Sequence, residues 1–111
     1  MPWVITYTCC VPPTKVVQTP EGTFEWDAHK ADENLRHHRG VSFEEAWTAL
    51  AHPWAAVFDD GTGEGILKAV GMSRRGRLLT VVYEPRGERA RIISAWKSTP
   101  EERRLYMTGG V

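Results

Sequence analysis

The order of the predicted elements places this 111-residue chain in the α+β class. A short strand is followed by two helical segments, then by four strands, and a third helix lies near the C-terminus. Turn-rich segments too short for crossovers join most of the strands, which predicts that neighbours in sequence pair antiparallel. We therefore expect an antiparallel sheet of four to five strands, packed by two N-terminal helices and one C-terminal helix.

Residues 1–22 are the least regular part of the chain. Trp3–Thr8 is rich in strand-forming residues, whereas Val11-Pro12-Pro13 and Thr19-Pro20-Glu21-Gly22 interrupt regular structure. This segment is compatible with an arm laid on the domain, an extra strand, a disordered lead, or an upstream start that adds little. Residues 23–111 are expected to form the folded domain.

The first helix has clear start and stop signals. It is predicted over Ala28–His38, with Asp27 placed to accept hydrogen bonds from the amides of the first turn. Ala31, Leu35 and His38 are expected to lie on one face of this helix. Gly40 is expected to end it, because glycine readily adopts the left-handed conformation found after helices.

Two capping boxes mark the other helices. Ser42 and Glu45 open a helix predicted over Phe43–Ala51, with the serine bonding an amide of the first turn and the glutamate reaching back. Thr99 and Glu102 repeat this pattern at the start of the third helix. Both boxes predict helices that start where the preceding strand or loop stops.

Alternating and β-branched residues predict the strands. They are expected at Thr23–Trp26, Trp54–Phe58, Gly65–Met72, Arg77–Tyr83 and Glu88–Trp96. In the last of these, strict alternation places Ala90, Ile92 and Ser94 on one face and Arg89, Arg91 and Ile93 on the other.

The composition is that of an ordinary globular domain, with 41% hydrophobic and 25% charged residues. A net charge of zero argues against a dedicated nonspecific nucleic-acid binder. The charge is nevertheless uneven, since residues 1–60 carry nine acidic and four basic residues, and residues 61–111 carry five acidic and ten basic ones. With no membrane-length apolar run, no signal-peptide pattern and no zinc-type cysteine spacing, we expect a cytoplasmic protein without a membrane partner or a metal.

The basic half is dominated by arginines on two predicted hairpins. They are Arg74, Arg75 and Arg77 around Gly76, Arg86 and Arg89 around Gly87, and Arg91 inside the last strand. Arginine binds phosphate through a planar, two-pronged group, so a rigid sheet carrying a row of arginines is a plausible RNA platform. A solvated sheet face can carry the same pattern, and the spacing alone does not separate the two.

Several segments in the same order resemble the BrnT family of toxins. They are Phe24-Glu25-Trp26-Asp27 with Lys30 and Asn34, Gly40–Ala46, Ala69-Val70-Gly71, Arg75-Gly76-Arg77, Leu79–Tyr83, Arg91–Ala95, and Glu102-Arg103-Arg104 with Tyr106. The resemblance covers about residues 23–106. It implies a RelE-like fold and a metal-independent endoribonuclease that inhibits translation and needs no cofactor. It also implies a ribbon-helix-helix antitoxin of the BrnA type as partner, with operator DNA contacted only through that antitoxin.

The resemblance and the chemistry of RNA cleavage together select the candidate site. The expected catalytic residues are Arg91, Arg77, Lys30 and His38, and the expected RNA-binding residues are Arg74, Arg75, Lys97 and Arg89. RNA supplies its own nucleophile, so cleavage needs a base, an acid and cations that stabilise the charged phosphorane. Histidine suits the proton transfers near neutral pH, and arginine or lysine suits the phosphate.

Two departures from the family pattern leave alternatives open. Where the family has Lys-His-Gly, this chain has His37-His38-Arg39-Gly40, so His38 aligns with either the lysine or the histidine. Trp96 stands where the family has an arginine. A non-catalytic toxin-like module that binds an antitoxin or RNA through its basic face is therefore the alternative function. A structural domain that docks an acidic partner helix is a third.

Overall fold

The computed structural model describes residues 14–38 and 40–108, so the strand expected at Trp3–Thr8 lies outside the described residues. The elements are β1 (Thr14–Thr19), β2 (Gly22–Asp27), α1 (Ala28–His37), α2 (Phe43–Leu50), β3 (Ala56–Asp59), β4 (Leu67–Met72), β5 (Leu78–Arg86), β6 (Arg89–Lys97) and α3 (Pro100–Met107). None of the helices in this part of the chain combines the length and apolar character needed to cross a membrane.

The strands form one mixed sheet in the order β1-β2-β6-β5-β4-β3. The α+β class is confirmed, but the expected antiparallel sheet of four to five strands is wrong in strand number and in direction. β2 runs parallel to β6, with Thr23 opposite Arg89 and Glu25 opposite Arg91. Hairpin signals predict only pairs between neighbours in sequence, whereas this pair joins two strands separated by most of the chain.

Strand β1 is the additional strand. Thr14–Thr19 pairs antiparallel with β2, and Pro20 and Glu21 form the loop of the hairpin. Thr19 Oγ1 donates a hydrogen bond to the carbonyl of Gly22 (2.8 Å) and accepts one from the amide of Glu21 (3.1 Å). The sequence that interrupts regular structure is therefore a turn between two strands, and the extra strand considered for residues 1–22 occupies positions 14–19.

The two faces of the sheet carry different layers. The main core lies between the sheet and α2, and its largest fully buried side chains include Trp26, Phe43, Leu79 and Val81. Because strand side chains alternate between faces, Thr80 points away from this core. Its hydroxyl bonds Ser98 (2.9 Å) and Glu102 of α3 (2.9 Å). Helix α3 therefore packs on the face opposite α2. Two strands precede α1, where one was expected, so the first two helices are less N-terminal than predicted.

The predicted N-caps of α1 and α3 are confirmed. Asp27 Oδ1 accepts hydrogen bonds from the amides of His29 (2.7 Å) and Lys30 (3.1 Å). Thr99 and Glu102 form the reciprocal capping box at the start of α3. These local signals fix where both helices begin, and so fix which residues α1 presents on each face.

Two local expectations are wrong. Ser42 accepts the amide of Glu45 (3.0 Å), but the Glu45 carboxylate bonds Arg77 instead of reaching back. On α1, the apolar face expected at Ala31 and Leu35 is only partly buried, since Leu35 is 43% exposed. The buried residue of this helix is Asn34. In both cases a polar side chain makes a long-range contact that helical periodicity does not show.

A β-bulge at Ile93 changes the faces of β6. Tyr83 pairs with Ile92 and Val82 pairs with Ser94, which leaves Ile93 as the extra residue. The predicted alternation is therefore wrong beyond Ile92, because an inserted residue reverses the order of the faces. The bulge brings Ser94 and Ile93 to the side of the strand that faces α1.

Candidate functional site

A groove separates helix α1 from the second half of β6. It has a volume of about 210 Å³ and is lined by Lys30, Glu33, Asn34, His37, His38, Ile93 and Ser94. A cavity of about 240 Å³ continues it and is lined by His37, His38, Trp96 and Lys97. Because both histidines line both spaces, these nine residues are treated as one feature, the α1–β6 groove.

Helical periodicity explains why α1 presents these side chains together. Lys30, Glu33 and His37 are three or four residues apart, so they lie on one face of the helix. His38 follows as the C-cap. Gly40 then adopts a φ of +88°, as expected from its position, and the chain turns away from the groove.

Asn34 links helix α1 to strand β6 through hydrogen bonds at the base of the groove. Its Nδ2 donates to the carbonyls of Val41 (3.0 Å) and Ala95 (2.9 Å). Its Oδ1 accepts from the amide of Ala95 (3.0 Å) and from the hydroxyl of Ser94 (3.1 Å). These bonds use the full donor and acceptor capacity of a buried amide, so α1 and β6 are held at a fixed separation.

The groove carries cations that lack an ionic partner. Lys30 and Lys97 are both exposed. Among the described residues, neither ammonium group belongs to an ion pair. Glu33 supplies the one carboxylate of the lining. Two free cations and two histidines in one groove can hold a phosphodiester and move protons on either side of it.

Trp96 connects the groove to helix α3. Its Nε1 donates to Glu102 Oε1 (3.0 Å), and its ring centroid lies 5.7 Å from that of His38. Lys68 Nζ lies 5.7 Å from the centre of the Trp96 ring. Trp96 therefore contacts both His38 and helix α3.

Arg77 is held by a buried carboxylate. Its Nε and Nη2 donate to Glu45 Oε2 (2.8 Å) and Oε1 (2.6 Å), and Nη2 also donates to the Gly40 carbonyl (3.1 Å). Ser73 donates to the same carboxylate (2.6 Å), and Arg75 lies 3.7 Å from it. Hydrogen bonds from Arg77 lower the pKa of Glu45 below its ordinary value, in spite of burial. We call this group the Glu45 cluster.

Arg77 also borders a cavity that leads toward the groove. This space of about 290 Å³ is lined in part by Arg77, Lys97 and Arg103. Lys97 lines both this cavity and the α1–β6 groove. On the other side of the β4–β5 turn, the guanidinium of Arg74 stacks 4.8 Å from the ring centre of Trp47.

Arg89 and Arg91 share a second carboxylate at the start of β6. Arg91 Nη1 donates to Glu25 Oε2 (2.7 Å), and Arg89 Nη1 donates to Glu25 Oε1 (3.1 Å). The bond from Arg91, and then the bond from Arg89, lower the pKa of Glu25. We call these three residues the Glu25 cluster.

The structure brings together only some of the predicted site residues. Lys30, His38 and Lys97 line the α1–β6 groove, and Arg77 reaches its border through the cavity that Lys97 shares. Arg74 and Arg75 lie on the β4–β5 turn. Arg89 and Arg91 line neither part of the groove. Arg91 and Lys97 are six positions apart, which is roughly 20 Å along an extended strand.

Sequence reasoning missed the residues that organise both clusters. Glu25 and Glu45 bind the arginines, and Asn34 and Ser94 shape the groove. Asn34 and Glu25 were visible as parts of family motifs, but nothing in the sequence shows which cation each carboxylate meets. His37 was visible only as a neighbour of His38.

The described residues contain no group of three or more His, Cys, Asp or Glu side chains that could hold a metal ion. The polar side chains of the groove are lysine, histidine, serine, amide and a single carboxylate. This set suits a phosphate ester better than a hard divalent cation, which prefers several oxygen ligands.

Comparison with known proteins gives a specific result. The model of the family described as "Ribonuclease toxin, BrnT, of type II toxin-antitoxin system" matches residues 26–102. The crystal structure of the Brucella abortus ribonuclease toxin BrnT matches with a TM-score of 0.54 and 25% sequence identity, covering 67% of this chain and 92% of that one. No curated protein matches.

Proposed function

This chain belongs to the BrnT family of ribonuclease toxins of type II toxin–antitoxin systems, and we propose that it cleaves RNA as a metal-independent endoribonuclease and so inhibits translation. The observation that carries this proposal is the α1–β6 groove, which holds Lys30, Lys97 and two histidines. Neither ammonium group forms an ion pair with a carboxylate of the described residues. The RelE-like fold that the family resemblance implied is part of this proposal.

The groove supplies each requirement of RNA cleavage. One histidine takes the proton of the 2′-hydroxyl as its oxygen bonds to phosphorus, and the other gives a proton to the departing 5′-oxygen as the P–O5′ bond breaks. The products are a 2′,3′-cyclic phosphate and a 5′-hydroxyl, so no water or metal enters the step. Lys30 and Lys97 stabilise the charge that develops on the non-bridging oxygens.

The arginines take roles set by their partners. Arg77 and Arg91, which we expected to be catalytic, each share a carboxylate and are assigned to holding the fold around the groove. Arg74 and Arg75 are exposed on the β4–β5 turn and are assigned to the RNA backbone. Arg89, the more exposed partner of Glu25, is the third backbone contact in this assignment.

Toxins of this class need a partner that restrains them. We expect a ribbon-helix-helix antitoxin of the BrnA type that covers the basic β4–β5 turn, and operator DNA that contacts only the antitoxin. Reversing the charges of Arg74 and Arg75 to Glu is expected to weaken the complex, measured by calorimetry with the antitoxin encoded beside this chain. If the variant bound the antitoxin as tightly as wild type does, the antitoxin would have to bind a surface other than the β4–β5 turn.

One observation supports a second function. Arg77, Arg89 and Arg91 are all neutralised by carboxylates, and Trp96 occupies the position of a family arginine. A chain with these features suits a toxin-like module that binds RNA or an antitoxin without cleaving. Cleavage is therefore the property to measure first.

Inducible expression in a bacterial host separates the two functions. Wild type is expected to arrest growth and fragment total RNA, and His38→Ala is expected to do neither, because it lacks a proton-transfer group. His29→Ala is the matched control, since His29 is exposed on the same helix but does not line the groove. If all three soluble proteins leave the RNA intact, the binding module becomes the better description.

A further inference from the structure

A second aromatic cluster lies outside the α1–β6 groove. Trp54, in the loop before β3, is 80% exposed, although tryptophan is normally well covered. The His52 ring meets it edge-on, with ring centroids 6.2 Å apart at 70°. The His52 ring also contacts Tyr106 of α3, with ring centroids 6.0 Å apart. The indole therefore contacts one neighbouring ring, while most of its surface remains open to solvent.

A cavity of about 250 Å³ adjoins this cluster. Its lining includes Trp47, Thr48, His52, Ser73 and Arg74. The Arg74 guanidinium rests on the Trp47 ring at 4.8 Å and has no ion-pair partner among the described residues. One carboxylate, that of Glu21, lines the same space. Arg74 and His52 thus border the cavity, and Trp54 lies next to it through its contact with His52.

We propose that Trp54 and the neighbouring cavity together form a nucleotide-binding subsite, in which an unpaired base of single-stranded RNA stacks on Trp54 and its phosphate meets Arg74. Base stacking on an exposed aromatic side chain and backbone contact with a cation are the two interactions that single-stranded nucleic-acid binders combine. A stacked base contacts the exposed indole of Trp54, and its phosphate forms an ion pair with the guanidinium of Arg74. The inference rests on the proposed function, because it takes RNA to be the substrate.

The subsite connects to the groove along the surface. Met72 lines both this cavity and the one bordered by Arg77 and Lys97. Lys97 in turn lines the α1–β6 groove. A strand bound in the groove can therefore continue past Lys97 and Arg103 to reach Arg74 and Trp54, which makes the subsite a determinant of which sequence is held in place.

Binding of a single-stranded 2′-O-methyl oligonucleotide tests this inference without cleavage, because the modified sugar has no free nucleophile. Trp54→Ala is expected to raise the Kd about 10-fold, within the range measured for loss of one base–aromatic stack. Val57→Ala is the matched control, since Val57 is also exposed and apolar, and it is expected to bind as wild type does. Trp54→Phe, which keeps an aromatic face, is expected to restore most of the affinity.

Abasic oligonucleotides identify the contact as a base. Scanning one abasic position along the probe is expected to find a site that weakens wild-type binding and has no further effect on Trp54→Ala. Equal affinity of Trp54→Ala and wild type overturns the inference. So does equal sensitivity of both proteins to every abasic position, or loss of affinity for the antitoxin alone, which would assign Trp54 to a protein partner.

The failure of the subsite and the failure of the proposed function give different results. If wild type binds the probe through Trp54 but leaves unmodified RNA intact, the subsite stands and the ribonuclease assignment falls. If wild type cleaves RNA and the Trp54 variants bind the probe as wild type does, the ribonuclease assignment stands and the subsite falls.

Discussion

The arginine clusters and the α1–β6 groove differ in what surrounds their positive charge. In the Glu45 and Glu25 clusters, each carboxylate is almost fully buried and is shared by arginines. In the groove, Lys30 and Lys97 face solvent without an ionic partner among the described residues. A buried carboxylate requires its cations to remain in place. Arg77 and Arg91 are therefore held in place by the fold, whereas the groove lysines and histidines are the residues that we propose meet a substrate.

The largest expected effect separates Lys30 from Arg91. Lys30→Ala is expected to slow RNA cleavage about 100-fold, as loss of one oxyanion-stabilising group does, with the free energy of unfolding unchanged. Arg91→Ala leaves Glu25 with Arg89 alone, so it is expected to destabilise the protein by about 2 kcal/mol and to slow cleavage less than tenfold. Cleavage of a labelled RNA and urea unfolding of each variant measure both quantities. If Arg91→Ala kept wild-type stability but lost cleavage, the assignment of Arg91 to the fold would be wrong and Arg91 would be a catalytic residue.

The second prediction concerns the Glu45 cluster. Glu45→Gln removes the charge that holds Arg77 and is expected to destabilise the protein by about 3 kcal/mol, as breaking a buried ion pair does. Glu44→Gln alters the adjacent residue, whose carboxylate is exposed and pairs with Lys15 at 3.6 Å. That variant is expected to change stability by less than about 0.5 kcal/mol. Urea midpoints measure both, and equal midpoints for the two variants would remove the structural role assigned to the cluster.

The smallest expected effect is a dependence of stability on acidity. The pKa of Glu45, lowered mainly by hydrogen bonds from Arg77, and that of Glu25, lowered mainly by Arg91, both lie below the ordinary value of 4.5. Each carboxyl therefore binds protons more weakly in the folded protein than in the unfolded chain. Its contribution to stability is complete above about pH 4.5 and is lost as the pH falls through the folded pKa.

Urea unfolding between neutral and acidic pH measures this dependence. Wild type is expected to lose stability as the pH falls below about 4.5. Glu45→Gln is expected to show a shallower loss, because one of the two carboxyls is absent. Parallel curves for the two proteins would show that Glu45 has the same pKa in the folded and unfolded states.

Local signals predicted the α+β class and several helix ends, but not the strand number or the arrangement of the sheet. Asp27, Thr99 and Gly40 fix helix ends through contacts with residues a few positions away, so the sequence alone reveals them. The pairing of β2 with β6 joins residues such as Glu25 and Arg91, which are far apart in sequence, and no local pattern encodes it. The bulge at Ile93 is equally hidden, because an inserted residue resembles ordinary strand sequence.

The candidate site was predictable only in part, for the same reason. Lys30 and His38 came from family motifs, and both line the groove. The partners of Arg77 and Arg91 depend on tertiary contacts with Glu45 and Glu25, so the sequence could not distinguish neutralised cations from free ones. Motif resemblance indicates which residues matter, and the three-dimensional contacts indicate what each one does.

The position of β6 in the sheet has a consequence for synthesis of the chain. β6 lies between β2 and β5, although it follows all the other described strands in sequence. The N-terminal hairpin and the β3–β5 meander are therefore joined only after β6 has left the ribosome. Since Ile93–Lys97 also form one wall of the groove, a nascent chain has neither a closed sheet nor a complete groove. The groove can therefore form only after β6 has been made and has paired with its neighbours.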